Sequence, residues 1–128
     1  MGDTYHFGIK GYIVHITHIL IGLWLIYIGY EKIKEREIYE YNYYGLTILG
    51  IILLLYFLIV SYKEWGNRWN YAFGVPNYVI FTTHLINSLL FIGIGMKYID
   101  IGEIMSMYLI VSGVLAAAYH GHLMIIKH

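Results

Sequence analysis

The chain has 128 residues, 59% of them hydrophobic and 12% charged, and its eight basic and eight acidic side chains cancel. That balance is too apolar for an ordinary soluble domain, and no basic stretch is dense enough to recruit nucleic acid. Cysteine is absent, which excludes disulfides and thiolate metal sites.

A helix needs about 20 apolar residues to cross a bilayer, and four runs of that length are visible, roughly 9–30, 43–62, 77–97 and 104–126. The expected fold is an all-α, integral membrane four-helix bundle in contact with lipid. The lead, residues 1–8, reads as a short interfacial tail. In the first run, Gly11, His15, His18, Gly22 and Gly29 fall on one face of the helical wheel, and the opposite face of Leu, Ile and Trp24 suits lipid. The run is long, carries two histidines and lacks a small-residue cleavage site, so it is read as a spanning helix and not as a removable signal.

The connection Glu31 to Asn42 mixes acidic and basic residues and reads as a solvated turn. The second run has no ionisable group at its centre; Gly45, Thr47 and Gly50 are the small or polar residues that permit close helix packing. The next connection, Ser61 to Pro76, sets Trp65, Trp69, Tyr62, Tyr71 and Phe73 among Lys63, Glu64 and Arg68. Such a mixture favours the headgroup level and predicts a short helix lying flat on the membrane. Pro76 suits the start of the third helix. The fourth run carries Ser106, Gly113, Ala117 and His120 on one face.

The third run repeats the first. Adding 66 to each number aligns 11–30 with 77–96 without a gap, and seven of the twenty positions are identical, among them Thr17 with Thr83 and His18 with His84. This spacing predicts two tandem two-helix halves, about 1–62 and 77–128, joined by an interfacial connection at 63–76. Phe81 stands in place of His15 and Ser88 in place of Gly22.

Four crossings return both termini to one side. All seven histidines then belong to one leaflet or its surface, with His6 and His128 outside the membrane and His122 near its edge. At about 1.5 Å per residue, His18 and His84 sit about 3–5 Å from the midplane, and His15 and His120 about 7–8 Å. Ionisable residues at such depths are costly, and function is the default reading for them. Taken singly, a histidine bonding helices together, with Thr17 or Thr83 as partner, is the simpler account. The matched pair His18 and His84 invites more.

A helical bundle can hold a haem through one axial imidazole from each of two helices, provided small residues make room for the macrocycle. Gly22 and Ser88 lie one turn beyond His18 and His84, and Gly29 and Gly95 continue the same faces. The arrangement is similar to that of multi-helix membrane b-type cytochromes. The expected function is therefore a bis-His haem b protein that transfers electrons, with a quinol or a redox protein as partner. Two alternatives stand beside it. In the first, His15, His18, His84 and His120 hold zinc, copper or iron; His15 and His120 are then the second-choice ligand pair, and His122 joins only if the helix unwinds at Gly121. In the second, the protein is a structural component of an envelope, a larger membrane complex or a homo-oligomer, and the histidines only tie helices together. No Asp or Glu lies in the centre of any run, which disfavours di-iron carboxylate chemistry and carboxylate-assisted hydrolysis. Lys and Arg divide evenly between the two sides, so the positive-inside count leaves the orientation open; termini inside is the working assumption.

Overall fold

The computed structural model describes residues 8–127; the expected interfacial lead lies outside them apart from Gly8, as do His6 and His128. Four α-helices account for most of the described chain: α1 (Gly11–Ile33), α2 (Glu40–Lys63), α3 (Asn77–Gly95) and α4 (Glu103–Lys127). No strand occurs among the described residues. Each helix is long and apolar enough to cross a membrane, which fits a multi-pass integral membrane protein. The boundaries follow local chemistry. Pro76 occupies the cap of α3 with φ −62° and ψ 146°, where its missing N–H costs nothing. Beyond α1 and α3 the chain turns through a left-handed residue, Glu35 at φ 56° and Lys97 at φ 64°.

Helices pack in two units. Unit 1 holds α1 with α4, and unit 2 holds α2 with α3. In unit 1 the contacts run antiparallel: His15 meets His120, Gly22 lies against Gly113 and Ala117, and Gly29 lies against Ser106 and Ile110. In unit 2, Phe57 meets Phe81 and His84, Gly50 lies against Ser88 and Ile92, and Gly95 lies against Tyr43 and Thr47. Each packed unit therefore draws one helix from each half of the sequence.

The two units bury matching positions. The buried residues of α1 are Gly11, His15, Gly22, Leu25, Ile28 and Gly29; those of α3 are Asn77, Phe81, Ser88, Phe91, Ile94 and Gly95, each 66 further on. Between α2 and α4 the matching offset is 63. Leu46 and Leu109 are both fully buried, as is Val60, with Leu123 nearly so, and Gly50 and Gly113 face α3 and α1 in the same manner.

The connection from α2 to α3 is not the flat helix that its composition suggested. It is a folded loop with one 3₁₀ turn, Ala72–Gly74. Gly66, Phe73 and Gly74 adopt left-handed φ values of 85°, 66° and 73°, which break helical continuation. At the other end of unit 2, Lys97 Nζ donates to both carboxylate oxygens of Glu40. That hydrogen bond is the main reason the Lys97 ammonium is held above the usual lysine pKa.

The closeness of α1 to α4 yields a prediction. A Cβ added at Gly22 would come 2.5 Å from the Gly113 carbonyl oxygen, whereas one at Gly121 meets nothing within 4 Å. Gly22→Val should destabilise the protein by about 1–3 kcal/mol through overpacking, while Gly121→Ala should be neutral or stabilise by up to about 1 kcal/mol. Thermal unfolding in detergent micelles separates the two; equal midpoints would refute the pairing.

Candidate functional site

The candidate residues are the histidines of unit 1 and, taken by itself, His84 of unit 2. His15 and His18 are three residues apart on α1, so they share a face. His120 reaches them from α4. The Nδ1 atoms of His15 and His120 are 2.8 Å apart, and His15 is 2% exposed. A bond between two Nδ1 atoms requires one ring to donate and the other to accept. The His18 ring lies on that of His120, with centroids 4.0 Å apart and planes at 33°.

The orientation of His18 is set by its own helix. Its Nδ1 lies 2.7 Å from the Val14 carbonyl oxygen. A carbonyl only accepts, so Nδ1 carries the proton and the lone pair of the neutral ring belongs to Nε2. His84 repeats this in unit 2: its Nδ1–H donates to the Ile80 carbonyl at 2.8 Å. Its ring stacks on Phe57 at 4.3 Å and 27°. Phe57 stands 63 before His120, and Phe81 stands 66 after His15. The aromatic pair Phe57 and Phe81, 6.1 Å apart, thus takes the place of the bonded pair His120 and His15.

The histidines chosen from sequence are thereby distributed over both units, His15, His18 and His120 in unit 1 and His84 in unit 2. His122 is exposed on an unbroken α4, so the unwinding at Gly121 that would bring it to His120 does not occur. Thr17 and Thr83, expected to reach the histidines across helices, donate instead within their own helices to Val14 and Val79, at 2.9 and 2.7 Å. Gly22, Gly29 and Gly95 face the partner helix of their own unit, where an added Cβ would strike backbone or side-chain atoms. Ser88 is fully buried, with its hydroxyl bonded to Leu85 O at 2.6 Å. These small residues serve helix closure. Among the described residues no group of three or more His, Asp or Glu is arranged to hold a metal ion.

Phe81 was marked in the sequence as the replacement for His15, but its partner Phe57 was not singled out. The signal was the 63-residue offset between α2 and α4, which becomes visible once Gly50 is set against Gly113.

Removing His120 leaves the buried His15 without that partner, so His120→Ala should cost about 1–3 kcal/mol. The double replacement His15→Phe with His120→Phe copies unit 2 and should be less damaging than the sum of the single changes. A double-mutant cycle from thermal unfolding in micelles measures this coupling; strict additivity would show that the pair does not bond.

No protein family, curated protein or solved structure matches the chain, so its own residues carry the functional reading.

Proposed function

We propose that this is a small membrane b-type haem protein in which His18 and His84, one from each helix pair, supply the two axial nitrogens. The observation that carries this reading is their shared tautomer: in both rings Nδ1–H donates to the carbonyl four residues earlier, at 2.7 and 2.8 Å. A ring held in that way presents Nε2 as the coordinating nitrogen, and a backbone bond on the other ring nitrogen both fixes its orientation and raises its basicity. Both rings also rest against an aromatic surface of the facing helix, His120 or Phe57.

The donor set fits a bis-imidazole haem iron. It consists of neutral nitrogens with no carboxylate or thiolate, and a haem bound in this way takes up and returns one electron without an open position for substrate. The chain's part is to hold two imidazoles at fixed tautomer in an apolar setting, by means of helix pairs closed at Gly22, Gly29, Gly50, Gly95 and Gly113. A quinol or a redox protein is the partner class that suits such a carrier, alone or within a larger membrane complex. We read the two sequence halves, about 1–62 and 77–128, as tandem copies of one two-helix segment, an interpretation supported by the buried positions that recur at 66 and 63 residues.

A second reading has its own observation. The His15 and His120 bond ties α1 to α4, as expected of a structural membrane protein whose histidines fasten helices. Zinc, copper or iron held by histidines alone has less support, since zinc sites use three or four protein ligands.

Absorption spectra of the detergent-purified protein, oxidised and dithionite-reduced, decide among these. A Soret band with sharp reduced α and β bands is expected, lost in His18→Ala and in His84→Ala and retained in His122→Ala. Equal haem content in all three variants would overturn the ligand assignment. A protein that stays colourless after haem reconstitution favours the structural reading.

A further inference from the structure

The loop between α2 and α3 carries an inference independent of the histidines: the geometry points to a binding site there for the phosphate of an anionic phospholipid headgroup. The loop joins the ends of two membrane-length helices, which sets it at headgroup depth. Within unit 2 it is folded and tied down. Asn77, 2% exposed, donates its side-chain amide to Asn67 O at 3.1 Å and its backbone N–H to Trp69 O at 2.8 Å. Tyr71 N–H donates to Val75 O at 2.7 Å. Trp69 packs on Tyr71 at 4.6 Å and on Phe81 of α3 at 6.2 Å.

This fold shapes a cleft of about 280 Å³ lined by Arg68, Trp69, Asn70, Pro76, Asn77 and Tyr78. Its single charge is Arg68, and no carboxylate lines it. The Arg68 guanidinium lies over the Tyr78 ring, 5.0 Å from the centroid. Stacking of that kind holds the plane of the group and leaves its N–H edge for an anion. Glu64, the nearest acid in sequence, accepts a hydrogen bond from Asn67 at 3.1 Å, and Arg68 forms no ion pair among the described residues. The first N–H groups of α3 already donate to Trp69, Asn77 and Pro76, so the anion is recognised by the arginine fork and not by the helix end.

Phosphate matches that fork in two parallel hydrogen bonds. The choice of a lipid over a free anion rests on depth and on the rings alongside. Trp65 and Phe73 are 87% and 68% exposed, as suits aromatics at the headgroup level. An anionic lipid is favoured over a zwitterionic one because its headgroup brings no cation of its own to compete with Arg68.

The test uses the full-length protein in micelles, titrated with short-chain phosphatidylglycerol, with phosphatidylcholine of equal chain length, and with inorganic phosphate. Binding is read from the shift in thermal midpoint. Phosphatidylglycerol should raise the midpoint most, and Arg68→Gln should weaken its binding about ten- to hundredfold, since a charge-assisted hydrogen-bonded contact is lost. Lys63→Gln should leave binding within about twofold, as expected of an exposed charge outside the cleft. Arg68→Lys, which keeps the charge without the fork, should fall between wild type and Arg68→Gln. Equal responses of the wild type to the two lipids would overturn the proposal whatever the variants do. An equal response to inorganic phosphate would reassign the cleft to a free anion, and unchanged binding in Arg68→Gln would remove the arginine from the site.

Discussion

The approach of helix backbones at glycine is the constraint on which this structure depends. Lipid is as apolar as the side chains that face it, so burial gives two helices in a bilayer little reason to associate; small residues that allow close van der Waals contact supply it instead. Gly22 against Gly113, and Gly50 against Ser88 and Ile92, leave no space for a Cβ. Once those contacts are fixed, the rungs on either side are fixed as well. One turn before Gly22, His18 is carried onto His120. One turn before Ser88, His84 is carried onto Phe57.

Matching positions carry different chemistry in the two units. Where unit 1 has His15 and His120 bonded through their Nδ1 atoms, unit 2 has Phe81 and Phe57 within an apolar cluster that includes Val60. The histidine pair needs one proton donor and one acceptor, whereas the phenylalanine pair needs only volume. His18 and His84 remain alike in tautomer and bracing, although their neighbours differ. That likeness supports a shared role for these two residues and a separate one for the pair beside His18.

Much of this was legible in the residues. Run length and polarity gave the four helices, because a membrane span is set by bilayer thickness; the expected run 77–97 became Asn77–Gly95 and 104–126 became Glu103–Lys127. The 66-residue echo rested on Thr17 with Thr83 and His18 with His84, and every buried position of α1 recurs in α3 at that spacing. Placing His15 and His120 at a common depth also anticipated their contact. Helix partners were not legible, because the glycines of α1 suit any neighbour equally well. What Gly22 and Gly29 face was not legible for the same reason, since a missing side chain serves a cofactor or a facing backbone alike. The α2 to α3 connection was misread because its aromatic and charged composition states a depth in the membrane, while left-handed backbone at Gly66, Phe73 and Gly74 decides the shape.

The proposed function makes His18 and His84 the ligands of a haem. Electron paramagnetic resonance of the oxidised, haem-loaded protein at low temperature tests it most directly. The account predicts a low-spin ferric signal of the bis-imidazole type, with no high-spin component. A high-spin signal, which marks an open axial position, or the absence of any ferric haem signal after reconstitution would contradict it.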